Sequence, residues 1–165
     1  MNQTMTARAA SVPISGDELE YATFYVCDIL LGLDIRQIEE INRQLTMTSV
    51  PHAPHFVRGV VNLRGEVATV VDLRAILGLP AAEITDQSRN VVVNARGERI
   101  GLLVDRIGDV VRTSASDIEP PPANVSGVDG RFFRGVCKLE KELLVILDVE
   151  EALAGSPPPQ ERSDN

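Results

Sequence analysis

The sequence has no tryptophan, only two tyrosines and four phenylalanines, so its core must be built from valine, leucine and isoleucine rather than from stacked rings. It has two cysteines, Cys27 and Cys137, far apart and without Cys-x-x-Cys spacing, which excludes a disulfide framework, a zinc knuckle and a redox dithiol. Both are expected to be small buried apolar side chains that stay as thiols in a reducing compartment. Positive charge is scarce: 16 Lys and Arg against 24 Asp and Glu leave a formal charge of −8. Phosphate backbones and anionic lipid bind through clustered cations, so nucleic acid is not an expected partner. No apolar run approaches the roughly 20 residues that span a bilayer, and residues 1–20 lack the apolar stretch of a signal peptide. A cytoplasmic protein without direct membrane insertion is expected. Also missing are Gly-x-Ser-x-Gly, a Walker loop, Gly-x-Gly-x-x-Gly and His-Glu-x-x-His, so no enzyme of those classes is expected and no cofactor is implied.

What is present is β-forming sequence. At 165 residues the chain can build one compact domain or two small cores pressed together. Residues 1–20 are polar and rich in Ala, Ser and Thr, and 155–165 open with Gly155-Ser156-Pro157-Pro158-Pro159. Both segments are expected to be disordered tails. Between them apolar residues come in short runs of period two or of β-branched character. Strands are predicted over 21–27, 30–35, 38–45, 57–63, 66–72, 90–94, 99–104, 107–112, 132–139 and 142–148. Residues 34–42, with Ile35, Ile38 and Ile41 at every third position, fit a short helix as well as a strand. Two short helices follow Asp72 and Asp148, each a good N-cap, and Asp148 with Glu151 has capping-box spacing.

The chain also repeats itself. An offset of 76 matches Phe56, Arg58, Gly59, Val60, Leu63, Glu66, Asp72 and Leu77 to Phe132, Arg134, Gly135, Val136, Leu139, Glu142, Asp148 and Leu153, eight identities in 22 positions. Chance would give about one or two, so a strand-turn-strand-helix unit is duplicated. An offset of 69 extends the match weakly, placing Gly32-Leu33 over Gly101-Leu102 and Ile38 over Ile107. Each half, about 21–78 and 89–154, then holds five strands and a helix, with 79–88 as the junction. Sixty-residue units are small for independent cores, so the copies should share an apolar interface, and closed barrels remove the edge strands that open sheets of this size would expose. The expected fold is mainly β: two five-stranded barrels packed together, with short helices. The loop 114–130 contains Pro120-Pro121-Pro122 and is expected to be stiff and extended.

Positions identical in both copies are most simply structural, and diverged positions on exposed turns are better functional candidates. Gly59, Gly65, Gly135, Asp72 and Asp148 are expected to serve turns and caps. Arg64-Gly65 occupies a hairpin turn where the second copy has Glu140-Lys141, and Arg64 carries a five-donor fork to its tip. A carboxylate dyad of Asp72 and Asp148 is disfavoured because helix capping explains both residues. His52 and His55 form a His-x-x-His on a Pro-flanked loop, too few ligands for zinc, and no metal site is expected. Ile38, Ile41 and Val110 suit a partner groove if exposed and a core if not.

The run Phe56-Val57-Arg58-Gly59-Val60-Val61-Asn62-Leu63-Arg64-Gly65, followed by Val70-Val71-Asp72-Leu73, resembles the CheW family of chemotaxis coupling proteins. So do Gly32-Leu33-Asp34-Ile35, Ile38-Glu39-Glu40-Ile41, Gly101-Leu102-Leu103-Val104-Asp105, Ile118-Glu119-Pro120 and Arg134-Gly135, with similar spacing over about 21–153. The resemblance implies a CheW-like domain over 21–154 made of two SH3-like barrels. It further implies a non-catalytic adaptor between the cytoplasmic domain of methyl-accepting chemoreceptors and the regulatory domain of the histidine kinase CheA. By matching motif positions it places Ile38, Glu40, Arg64 and Val110 at or near a receptor-binding groove between the barrels. A same-family scaffold in a non-motility pathway such as pilus control, or an enzyme of unrecognised type, remain as alternatives.

Overall fold

The structure is a computed structural model that describes residues 18–154; residues 1–17 and 155–165 of the expected tails lie outside the described residues. The strands are β1 (Glu18–Val26), β2 (Ile29–Asp34), β3 (Ile38–Asn42), β4 (Val57–Leu63), β5 (Glu66–Asp72), β6 (Arg89–Ala95), β7 (Glu98–Val104), β8 (Arg106–Ile107), β9 (Val111–Ser114), β10 (Asn124–Val125), β11 (Val128–Asp129), β12 (Phe133–Lys138) and β13 (Leu143–Leu147). Helix α1 (Leu73–Leu77) follows β5, and α2 (Val149–Ala154) follows β13.

Four local expectations need correction. The first strand begins at Glu18, inside the expected tail, because Glu18, Leu19 and Glu20 pair with Ser114, Thr113 and Arg112, and Leu19 packs against apolar residues beneath. The strand expected over 107–112 is two, β8 and β9, because Gly108 donates its N–H to the Thr23 carbonyl at 2.8 Å and the Thr23 hydroxyl donates to the Asp109 carbonyl. Loop 114–130 is not simply extended: it holds a 3-10 turn at Ala115–Asp117 and the β10–β11 hairpin, whose Val125 and Val128 are buried. Cys137 is buried, but Cys27 is only half-buried, since it occupies the β1–β2 turn with φ 55°. The ambiguous stretch 34–42 contains both forms. Asp34 caps a 3-10 turn over Ile35–Gln37, and β3 begins directly after it.

Among the described residues, besides the two-stranded β10–β11 sheet, one sheet has the order β3-β6-β7-β5-β4 and another β9-β1-β2-β13-β12 with β8 beside β1. In each, the strand that leaves one edge returns to the opposite edge. Thr48, beyond β3, exchanges two backbone hydrogen bonds of 2.9 Å with Val60 of β4, and Glu119, beyond β9, exchanges two of 2.8 Å with Val136 of β12. These seams close both sheets into five-stranded SH3-like barrels, in agreement with the expected fold.

The barrels are not the two halves of the sequence. The first barrel is built from residues 38–104, while the second takes β1 and β2 from the start of the chain and β8, β9, β12 and β13 from its end. The first hairpin of each repeat has crossed into the other repeat's barrel, where β2 runs parallel to β13 and β7 parallel to β5. Residues 79–88 therefore join two elements of one barrel, and Ile84 packs on that barrel's core. The chain passes between barrels at the Ile35–Gln37 turn and again at Asp105, the single residue separating β7 from β8. At that second crossing the Asp105 carboxylate accepts from Arg74 Nε at 3.1 Å and Arg74 Nη2 at 2.6 Å, and from the Cys27 N–H at 2.7 Å.

This exchange explains the distribution of the core. Alternate residues of each strand point to opposite faces. Val61, Leu63, Ala68, Val70, Val92 and Leu103 fill the first barrel, while Tyr21, Leu30, Cys137, Leu144 and Ile146 fill the second. The opposite faces, with Phe24, Leu31, Leu33, Val91, Val93, Leu102 and Leu147, meet α1 and α2 in one larger cluster drawn from both barrels. At about 1.5–3 kcal/mol for each fully buried side chain of this size, the shared layer is the main force holding the barrels together.

The duplicated residues gather at the seams. A Cβ on Gly59 would lie 2.6 Å from the Thr48 carbonyl oxygen, and one on Gly135 would lie 2.8 Å from that of Glu119. A few residues away Arg58 meets Asp72 at 3.2 Å and Arg134 meets Asp148 at 3.5 Å. Each Asp N–H donates to the carbonyl of the duplicated phenylalanine, Asp72 to Phe56 at 2.7 Å and Asp148 to Phe132 at 2.9 Å. The carboxylates cap the helices: Asp72 accepts from the Arg74 N–H at 3.0 Å and Asp148 from the Glu151 N–H at 3.0 Å. Only half of the capping box forms, because the Asp148 N–H is taken by Phe132.

Replacing Gly59 by Ala forces a side chain into the seam at φ 152°; a loss of about 3 kcal/mol is expected in urea unfolding, with about 1–3 kcal/mol for Gly135→Ala. Wild-type stability in Gly59→Ala would contradict the seam geometry.

Candidate functional site

The two hairpins that end the repeats share their strands and differ at their tips. Leu63 pairs with Glu66, leaving Arg64 and Gly65 as a two-residue turn with φ 54° and 86°, the left-handed pair that matches strand twist. The Asn62 side-chain oxygen accepts from the Gly65 N–H at 2.9 Å and fixes this turn. In the second barrel Leu139 donates to the Glu142 carbonyl at 2.9 Å, but neither Glu140 nor Lys141 has a positive φ. Beneath that hairpin the Tyr25 hydroxyl donates to the Glu142 carboxylate at 2.9 Å, and Arg106 stacks on the Tyr25 ring at 3.7 Å.

Arg64 leaves the turn with 76% of its side chain exposed and forms an ion pair with Glu40 Oε1. Glu40 Oε2 accepts from Asn42 Nδ2 at 2.7 Å. Behind them Arg99, at the start of β7, reaches Glu39 at 2.9 Å, Glu66 at 3.1 Å and Glu40 at 3.8 Å. A bulge in β3 makes this possible. Ile38 and Glu40 oppose the adjacent residues Val93 and Val92, so Glu39 is an extra residue in the strand, and two consecutive acids turn toward one guanidinium. The Asn42 hydrogen bond, joined by the charges of Arg64 and Arg99, holds the Glu40 carboxyl below the usual glutamate range against the opposing effect of burial. Arg99 is held above its ordinary value, first by its hydrogen bond to Glu66.

Of the four residues that the resemblance implies, the structure joins Glu40 to Arg64. Ile38 lies on the same strand, partly buried against the shared core. Val110, 60% exposed, stands in the β8–β9 connection of the second barrel, and no described hydrogen bond or ion pair links it to Glu40 or Arg64. Ile41 is 40% exposed. An apolar groove of about 260 Å³ lies between the first barrel and α2, walled by Phe56, Val71, Ile100 and Leu153; none of the four residues lines it. Among the described residues no group of three or more His, Cys, Asp or Glu is placed to hold a metal, and the His55 ring stands edge-on to Phe56 at 5.7 Å. Asp72 and Asp148 are each engaged by an arginine and a helix. Arg99, Glu39 and Glu66 escaped the sequence reading. Their meeting depends on the parallel pairing of β5 with β7 and on the bulge, neither of which the sequence spacing signals.

Two interlocked barrels, with an exposed Arg64–Glu40 ion pair at one hairpin tip, offer surfaces for contact with a partner. The CheW-like domain model matches residues 20–156. The chain is similar to a chemotaxis protein CheW of Rhizobium meliloti (strain 1021), 36% identical over 146 residues that cover 88% of this chain and 93% of the relative. It is also similar to the chemotaxis protein CheW of Bacillus subtilis (strain 168), 35% identical over 122 residues, 74% of this chain and 78% of the relative. Its fold is similar to the crystal structure of the scaffolding protein TtCheW from Thermoanaerobacter tengcongensis, with a TM-score of 0.76, 29% identity, and coverage of 81% of this chain and 91% of that one. The chain belongs to the CheW-like domain family.

Because the folded Glu40 carboxyl is depressed, its contribution to stability is present above the unfolded pKa and is lost as pH falls through the folded value. Following the Glu40 carboxyl by NMR, Asn42→Ala and Arg64→Ala should each raise the midpoint. Arg64→Ala should cost less than about 1 kcal/mol of stability, as expected of an exposed pair; a drop several times larger would make Arg64 a structural residue.

Proposed function

We propose that the protein is a non-catalytic adaptor that couples methyl-accepting chemoreceptors to the histidine kinase CheA in bacterial chemotaxis signalling. The observation that carries this reading is the family match across nearly the whole described chain, supported by relatives named as chemotaxis proteins and by a structural neighbour named as a scaffolding protein. Binding at such a surface needs complementary charge and apolar contact rather than a reacting group.

The receptor face combines Arg64 with Glu40, and adds Ile38 and Val110 as apolar contacts. Arg64 suits the role because its guanidinium is exposed on a rigid turn, where it can exchange the Glu40 carboxylate for an acidic side chain on a receptor helix. The partner is the cytoplasmic helical domain of the receptor, and the barrel ends bind the regulatory domain of the kinase. No helix among the described residues is long and apolar enough to cross a membrane; the adaptor reaches membrane receptor arrays from the cytoplasm through its partners. Coupling is then mechanical, because the shared core makes the two barrels one body.

Calorimetric titration of the purified protein with a receptor cytoplasmic fragment and with the kinase regulatory domain should show binding to both. Arg64→Ala should weaken the receptor interaction by about tenfold or more and leave kinase binding nearly unchanged. Binding to neither partner at tens of micromolar would sink the adaptor reading.

A further inference from the structure

Two guanidinium groups compete for one carboxylate oxygen. Glu40 Oε1 pairs with Arg64 Nη1 and also lies 3.8 Å from Arg99 Nη2. The two arginines are otherwise unlike. Arg64 is 76% exposed and, among the described residues, its one ion pair is to Glu40, whereas Arg99 is 19% exposed and anchored through Nε by Glu39 and through Nη1 by Glu66. Its third nitrogen faces Glu40, too far for a hydrogen bond but close enough for strong attraction.

That arrangement bears on what it costs Arg64 to leave. The Glu40 side chain is only 18% exposed, and a partly desolvated carboxylate stripped of its partner is unfavourable. A second, fixed cation beside the same oxygen lowers that cost. Without Arg99, Glu40 would lose its second nearby cation and hold Arg64 more tightly.

We propose that Arg99 is a positioning residue for the receptor contact, keeping Glu40 neutralised when Arg64 turns outward and so setting how readily Arg64 is presented to an acidic group on the receptor. The inference rests on the adaptor reading above. It gives the β3 bulge a purpose, since the extra residue Glu39 anchors Arg99 from the strand that carries Glu40. The device exists in one copy only: under the offsets of the repeat, Arg99 lies over Leu30 and Arg64 over Glu140.

The test is calorimetric binding of a receptor cytoplasmic fragment to the full chain as wild type, R99Q, R99K, R64A and R64A/R99Q, together with NMR titration of the Glu40 carboxyl. R99Q should weaken binding about fivefold, and R99K should recover most of the loss. R64A and R64A/R99Q should bind alike, a non-additivity that general destabilisation would not produce. The Glu40 midpoint should rise in R99Q. Wild-type affinity in R99Q, or the same fivefold loss on top of R64A, overturns the role of Arg99. A wild type that binds no fragment overturns the adaptor reading instead, and the local arrangement is then judged by the titration: a Glu40 midpoint unmoved by R99Q overturns it too.

Discussion

Both barrels depend on a backbone strand crossing close over a glycine. The Thr48–Val60 and Glu119–Val136 bridges join the two edges of each sheet, and they form only where no Cβ stands in the way, at Gly59 and Gly135. Once the seam is closed no long edge remains to pair with another chain. The duplicated Arg, Asp and Phe lie around the same point, with Arg58–Asp72 and Arg134–Asp148 bracing the strand against the helix that follows. The identities between the copies thus describe one repeated closure.

Closure alone would give two small barrels with little interior. The exchange of first hairpins makes them one body: each barrel borrows two strands from the other repeat, and the largest apolar layer lies between the barrels rather than inside either. Among the described residues the chain crosses between them only at Ile35–Gln37 and at Asp105, and Arg74 and Cys27 hold Asp105 in place.

The two copies differ most at their hairpin tips. Arg64 on its left-handed turn faces Glu40, with Arg99 behind, while the twin hairpin carries Glu140 and rests on Tyr25. Much of this was legible in the sequence. The alternating runs marked most strands, the repeat marked the two-barrel fold, and Asp72 and Asp148 marked the helix starts. Barrel membership was not legible, because sequence similarity identifies repeats but does not say which hairpin pairs with which. Nor was the Arg99 cluster, since Glu39, Glu66 and Arg99 lie far apart in the chain and are brought together by a bulge and a parallel register. The β10–β11 hairpin escaped because each of its strands is two residues long.

The most direct test of the central claim, that the receptor binds a face made by Arg64 and Glu40 of the first barrel with Val110 of the second, is amide and methyl chemical-shift mapping of the full chain on addition of a receptor cytoplasmic fragment. Perturbations should concentrate on β3 around Ile38 and Glu40, on the Arg64–Gly65 turn and on Val110, leaving the Glu140–Lys141 turn unmoved. Shifts confined to the second barrel's hairpin would contradict the assignment.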